Sequence, residues 1–334
     1  MARIDTTIQF DMRAPDWATP PATLYAEALA MAAYADEIGV DRIGLCEHHG
    51  SEDGYLPSPF VMGGGIAART ERVRIALGAL VLPLHDPVKV AERIAVLDLM
   101  SNGRLDVILG VGYVPSEFPR FRVSMRDRGK LLDQGIDILL RALRGERFEA
   151  DGREVFVRPL PVQEPEAILL AGGGVEATAR RAARFGIGLA PLSSGLLPVY
   201  TQECTKHGRA LGKIYGFEAP LGIHIAEDPD QGWARIEPHV VHAVTAYARW
   251  AAEAGWDNAF RNISTPEQVR ASGLYPVWTP DEVVANASVL MENHNPLNFA
   301  PLVGGLSPDV GWESLELLKN KVMPRLRELN AHAS

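Results

Sequence analysis

The chain has 334 residues, 47% of them hydrophobic and 22% charged, which is the make-up of a globular protein with a sizeable core. Lys and Arg number 33 against 42 Asp and Glu, a net charge of −9 with no basic run. That balance argues against nucleic acid or an anionic membrane surface as partner and favours a small or neutral substrate. No stretch reaches the roughly 18 apolar residues of a membrane span, and the N-terminus shows no signal-peptide pattern. Two cysteines, Cys46 and Cys204, suggest neither a disulfide framework nor a zinc site. A reducing, cytoplasmic location is the expectation.

Residues 6–12 alternate as a strand does. Residues 22–38 place Leu24, Ala28, Met31, Ala32, Ala35 and Ile38 at helical spacing, with Gly39 as the stop. A strand at 42–46 runs into Glu47-His48-His49, and a polar loop covers 51–59. A helix at 60–69, a strand at 73–80, a helix at 88–100 and a strand at 105–111 continue the beat. After the loop 112–118 comes an amphipathic helix, 126–143. Residues 145–165 read as a surface excursion with a hairpin around Asp151-Gly152.

The beat resumes with a strand at 167–171, a glycine loop, a helix at 175–185, a strand at 186–191 and a helix at 197–211. A seventh strand is expected at 219–226. Residues 230–279, with a helix near 240–254, stand outside the beat as either a mobile lid or a surface elaboration. A helix at 281–292, an eighth strand at 297–303 and a closing helix at 312–330 complete the chain. Eight strands, each followed by a helix, predict an α/β fold: a (β/α)8 TIM barrel of one domain, residues 1–334, with an extended excursion between strands 7 and 8.

Strand ends are where parallel α/β folds place their chemistry. Adjacent strand residues face opposite ways, so at most one of His48 and His49 faces the barrel mouth. A free imidazole there suits proton transfer near neutral pH; a capping or hydrogen-bonded structural histidine is the alternative. Neighbouring residues cannot chelate from one face, so no metal site is expected. Gly172-Gly173-Gly174 between strand and helix offers backbone N–H groups to a phosphate, or is a tight βα turn. The dinucleotide fingerprint needs an acidic residue about 20 positions on. Pro191-Leu192-Ser193-Ser194 supplies none, so a mononucleotide phosphate fits better than NAD. Gly78-Ala79 and Gly110-Val111-Gly112 end strands in small residues that let a flat ring approach, or simply fill a barrel layer. Cys46 reads as a small buried hydrophobe. Arg126 and Arg128 either reach a phosphate or are solvated.

Taken together, Glu47-His48-His49, Val81-Leu82-Pro83, Asp86-Pro87, Glu92, Leu97-Asp98, Met100-Ser101, Gly103-Arg104 and Glu117-Phe118 resemble the bacterial-luciferase-like family of flavin-dependent monooxygenases. Weaker similarity continues through Gly172-Gly173-Gly174 and residues 297–325. The resemblance implies a barrel that binds reduced FMN and uses O2. It implies that His48 is the catalytic histidine, that Gly78-Ala79 forms a cis peptide against the flavin, and that Gly172, Gly173 and Gly174 hold its phosphate. Where the luciferases carry an arginine and a reactive cysteine, this chain has Val111 and Gly110. Phosphate must then be held differently, by the glycine loop with Arg128, and neither light emission nor a long-chain aldehyde substrate is implied.

The function expected is oxidation of a small organic substrate, with Gly78, Ala79, Gly110, Gly112, Arg128 and the glycine loop around the cofactor. No NAD(P)H fingerprint is present, so a separate NAD(P)H:flavin reductase would supply reduced FMN, and the resemblance suggests a homodimer packed through helices near the second and third strands. Hydride transfer with the deazaflavin F420 is the alternative cofactor chemistry, and a flavin-binding protein without catalysis is the other.

Overall fold

In the computed structural model, which describes residues 3–216, 218, 220–256, 260, 263–292 and 294–333, Pro, Asp and Gly punctuate the helices. β1 (Thr6–Phe10) leads to α1 (Pro21–Ile38), which opens on Pro21 and closes at Gly39. Gly39 has φ +84°, and its N–H reaches the carbonyls of Ala35 and Asp36. β2 (Arg42–Leu45) stops short of Glu47, so Glu47-His48-His49 lies beyond the strand rather than on it. α2 (Pro59–Ala67), β3 (Arg74–Val81) and α3 (Pro87–Met100) follow. Asp86 caps α3, accepting from the N–H groups of Val88 at 2.8 Å and Lys89 at 3.3 Å.

β4 (Leu105–Gly110), the single turn α4 (Glu117–Arg120) and α5 (Arg128–Leu143) come next. The expected hairpin is β5 (Phe148–Ala150) with β6 (Arg153–Val155). Its turn residues Asp151 and Gly152 have φ of 50° and 71°, the positive pair that a two-residue hairpin turn of type I′ needs. α6 (Pro165–Ile168), β7 (Leu169–Gly173), α7 (Glu176–Phe185), β8 (Gly188–Pro191) and α8 (Leu196–Lys206) continue the alternation.

The remainder is β9 (His224–Ile225), α9 (Pro229–Glu253), α10 (Pro266–Ala271), β10 (Val277–Trp278), α11 (Pro280–Glu292) and β11 (Leu297–Phe299). α12 (Pro308–Leu317) and α13 (Met323–Ala333) are joined by a π-helical turn, Leu318–Val322. Among the described residues no helix is long and apolar enough to cross a membrane.

The chain packs as two compact units, one of Met1–Gly44, His48–Pro57 and Glu218–Ser334, the other of Leu45–Glu47 and Ser58–Phe217. In the second unit β3, β4, β7 and β8 lie side by side in that order, all parallel. Leu77 is in register with Val107, Val107 with Leu169, and Ala171 with Leu189. Leu77, Val107 and Leu170 from the sheet are buried, as are Ile94 of α3 and Leu139 of α5. Such near-continuous apolar strands are what a parallel sheet covered by helices requires.

Asp106, at the start of β4, is fully buried. It accepts two 2.7 Å bonds from Arg74, one of 2.7 Å from Lys213 and one of 2.9 Å from Tyr215. Burial alone would raise its carboxyl pKa; Arg74 and Lys213 outweigh that and hold it below the usual carboxylate range.

In the first unit the order is β11, β1, β2, with Thr6 in parallel register with Leu297 and Ile8 with Phe299. The expected seventh strand, 219–226, is the main correction. It contracts to His224–Ile225 and pairs in parallel with Val277–Trp278 instead of extending along its neighbours. Ile223 makes a single bridge to Phe299, and Ala219 lies outside the described residues. Pro220 has no N–H to donate, and Leu221 and Ile223 turn theirs to two different segments, the carbonyls of Leu274 at 2.8 Å and Asn298 at 2.6 Å, so no single ladder runs through this stretch before His224. The alternating α/β architecture with parallel strands stands, but eight full-length strands are not found among the described residues.

The helix expected at 240–254 begins eleven residues sooner, at Pro229, because Asp228 caps it through the N–H groups of Asp230 at 2.9 Å and Gln231 at 3.1 Å. The 230–279 excursion is therefore mostly ordered helix. Trp233, Ile236, Val240 and Val244 of α9 pack with Val269, Leu274, Val303 and Leu306 into a buried cluster.

Candidate active site

In the first unit, His48 is buried just past the end of β2, its N–H held by the carbonyl of Leu56 at 3.2 Å. Its ring stacks on Trp250, with centroids 4.1 Å apart and planes inclined by 28°, and meets Tyr55 edge-on at 4.8 Å. The hydroxyls of Tyr55 and Tyr247 are hydrogen-bonded at 2.8 Å. Trp250 and Tyr247 come from α9, as do His239 and His242. Positions 242, 247 and 250 lie three, eight and eleven residues after 239, which puts all four on one side of a helix. Trp17 closes against His239 at 5.0 Å and His242 at 5.9 Å.

Against these rings sits Arg13, with no exposed surface at all. Its Nη1 donates to Asp53, and its guanidinium carbon lies 4.5 Å from the Tyr55 ring, 4.9 Å from Trp250 and 5.1 Å from Tyr247. Asp53 also accepts from Ser51 and, at 2.8 Å, from Nε2 of His242. Burial pushes the Asp53 carboxyl up, but His242, Arg13 and Ser51 together hold it well below the usual carboxylate range. Burial likewise disfavours the charge on Arg13, yet Tyr247, Asp11 and Asp53 outweigh it and its pKa lies above the ordinary value. Asp11 is pushed the other way, up, chiefly by burial.

The second unit holds all the expected cofactor-binding residues. Glu47 is buried and pins the end of β3: one carboxylate oxygen accepts from the N–H of Val81 at 2.7 Å, the other from Nε2 of His85 at 2.8 Å. The peptide between Gly78 and Ala79 is cis, as the resemblance implied, and the β3–β4 register shifts at this point. A Cβ on Gly110 would come within 2.9 Å of the Ala79 methyl. One on Gly172 would meet Ile108 at 2.5 Å and lie 3.9 Å from Ala79. The ends of β3, β4 and β7 are thus reduced to Ala79, Gly110 and Gly172 because nothing larger fits between them.

Gly112, at φ +75°, turns the chain away from β4, and a Cβ added there would come within 2.7 Å of Val81 and 2.9 Å of Phe118. Gly172 and Gly173 are half-buried and Gly174 is exposed, and they lead into α7, whose N-terminus has no capping side chain. Arg128 donates Nη1 to the carbonyl of Met125 at 2.8 Å, closing its own turn. Cys46, expected as a buried hydrophobe, is only half-buried.

Arg13, Asp53, Tyr55, His242, Tyr247 and Trp250 escaped the sequence reading. The one legible signal was the aromatic and histidine spacing along the helix expected at 240–254, which turns His242, Tyr247 and Trp250 to one side.

The luciferase-like monooxygenase family model matches residues 8–291. Limonene 1,2-monooxygenase of Rhodococcus erythropolis is 23% identical over 316 residues, covering 89% of this chain and 80% of that protein. 4-Hydroxyprotoasukamycin monooxygenase of Streptomyces nodosus subsp. asukaensis is 26% identical over 241 residues, 62% of each chain. Against an uncharacterized protein of Sinorhizobium fredii the match spans 48% of its length, so the chain covers only about half to two-thirds of some curated relatives.

Among solved structures, monooxygenase RslO1 from Streptomyces bottropensis superposes with a TM-score of 0.80 at 25% identity, covering 96% of this chain and 99% of that one. The oxygenating constituent of 3,6-diketocamphane monooxygenase from Pseudomonas putida, in complex with FMN, gives 0.73 at 17%, covering 97% and 99%. An F420-dependent secondary alcohol dehydrogenase gives 0.70 at 15%, covering 98% and 100%. At such identities the last two establish likeness of fold alone. With a family model matched over most of its length, the chain belongs to the luciferase-like monooxygenase family.

Proposed function

We propose that the protein is an FMN-dependent monooxygenase that takes reduced FMN and O2 to oxidise a small organic substrate, the reduced flavin being delivered by a separate NAD(P)H:flavin reductase. The observation that supports this best is the stripping of three neighbouring strand ends to Ala79, Gly110 and Gly172. A planar ring can lie against such backbone with no side chain intervening.

The residues present fit FMN. Gly78, Ala79, Gly110 and Gly112 would line the ring, and Gly172, Gly173 and Gly174 with the uncapped start of α7 would take the phosphate. Arg128 would add to the phosphate site only through the N–H groups it does not spend on Met125. When bound, reduced FMN supplies the two electrons that activate O2. His48 is proposed to hold or move a proton at its imidazole during the reaction, and the packed rings of Tyr55 and Trp250 keep bulk water from that imidazole. Eightfold barrel closure, a single domain over residues 1–334 and a cytoplasmic location belong to the same reading. So does a homodimer through α2 and α3, where Val61, Val96, Leu99 and Met100 are exposed.

Titrating the purified protein with FMN, photoreduced FMN and F420 tests the cofactor. Tightest binding of reduced FMN, with O2 uptake driven by NADH and an added flavin reductase, supports the proposal. Tighter F420 binding with turnover in the absence of O2 would favour deazaflavin hydride transfer. Flavin binding with no product from a broad substrate panel would leave a binding protein without catalysis.

A further inference from the structure

We propose that Arg13 is the substrate-docking group, offering the N–H edge of its guanidinium to a neutral oxygen acceptor, a carbonyl or hydroxyl, on a flat apolar substrate seated against Tyr247 and Trp250. The inference rests on the monooxygenase reading for what happens to the bound molecule, but not for its binding.

Arg13 is fully buried, and its Nε and Nη2 find no hydrogen-bond partner among the described residues. Those two atoms share one edge of the planar guanidinium; Nη1, on the opposite side, is spent on Asp53. The nearest acceptor recorded for that edge is Oδ2 of Asp11, 4.0 Å from Nε, too far for a hydrogen bond. Two buried donors of a cation call for an acceptor, and a ligand oxygen would supply one.

The surroundings say what that ligand looks like. Tyr55, Trp250 and Tyr247 stand 4.5, 4.9 and 5.1 Å from the guanidinium carbon, and the last two keep part of their surface open. Rings so placed favour a flat apolar body. The charge count decides the head group. Asp53 already neutralises Arg13, and Asp11 is a second carboxyl beside it. A carboxylate on the substrate would bring a third carboxyl to a single guanidinium, whereas a neutral oxygen meets the open donors without adding charge.

Equilibrium dialysis of the flavin-free protein against 2-acetylnaphthalene, 2-naphthoate and 2-ethylnaphthalene tests this. The ketone should bind at least tenfold tighter than the hydrocarbon and tighter than the carboxylate. In Arg13→Met the ketone's advantage should fall below threefold, with 2-ethylnaphthalene little changed. Arg13→Lys keeps the charge beside Asp53 but lacks the two-donor edge, and should lose the same advantage even if the Met variant does not fold. Equal binding of ketone and hydrocarbon by the unmodified protein would overturn the proposal, as would preference for the carboxylate or survival of the ketone's advantage in Arg13→Lys. Failure to bind FMN in the separate titration would sink the flavin reading and leave this result standing.

Discussion

The imidazole of His48 stacks on the indole of Trp250, with ring centroids 4.1 Å apart. That contact joins the loop after β2 to the C-terminal half of α9, and it makes the long helix part of the candidate site rather than decoration on the surface. A stacked aromatic pair contributes about 0.5–1.5 kcal/mol beyond its burial, enough to hold the imidazole in one orientation.

His48→Ala should lower kcat/KM for substrate oxidation by about 10²- to 10⁴-fold under saturating reduced FMN, the usual contribution of a positioned acid or base. FMN affinity should change little. Undiminished oxidation would show that the imidazole handles no proton that matters.

Gly174 is exposed, and a Cβ there would sit 3.5 Å from Leu192, an ordinary contact. Gly174→Asp should therefore fold with a stability change within about 0.5 kcal/mol. It places a carboxylate at the start of α7, where the phosphate is proposed to bind, and FMN affinity should drop tenfold or more. Unchanged affinity in a fluorescence titration would move the phosphate elsewhere.

Asp106 is the shared ion-pair partner of Arg74 and Lys213, in a fully buried position. Asp106→Ala leaves those cations without their shared partner and should cost about 3–5 kcal/mol, read as a fall in the urea midpoint. Flavin contacts proposed at the opposite end of β4 should be unaffected in whatever fraction remains folded.

His224 is buried, and burial, reinforced by Arg235 and opposed by Glu313, pushes it down to about 4 from an ordinary 6.5. The unfolded chain therefore binds this proton more readily than the folded one. Stability from this group is complete above pH 6.5, declines as pH falls, and is lost below about 4, on the order of 3 kcal/mol in all. His239, lowered chiefly by burial, adds in the same direction. The readout is thus the stability difference between His224→Gln and the unmodified protein, which should change by about that amount between those two pH values and stay flat outside them. Parallel curves would show that His224 titrates normally.

Val96, Leu99 and Met100 of α3 are exposed, as is Val61 of α2. Leu99→Asp should shift the protein from dimer to monomer in sedimentation velocity at micromolar concentration, with secondary structure unchanged. A monomeric unmodified protein would remove the proposed interface.

The order of strands and helices, most of their ends and the Asp151-Gly152 hairpin were legible in the sequence, because apolar period, Pro, Gly and Asp act over a few residues. The small residues ending β3, β4 and β7 were legible too, although at each position taken alone they meant little. Two local readings failed for local reasons: Pro220 broke the seventh strand, and Asp228 started α9 earlier than the apolar pattern suggested.

By itself, then, the sequence determined the α/β alternation, the family resemblance and the place of His48 just beyond β2. Only tertiary structure decided what surrounds that histidine. Arg13 finds Asp53 across 40 positions, and Asp53 finds His242 across 189. No periodicity reports such pairings, because a buried charge draws its partners from whatever elements packing brings alongside, and a helix side acquires meaning only when something is set against it.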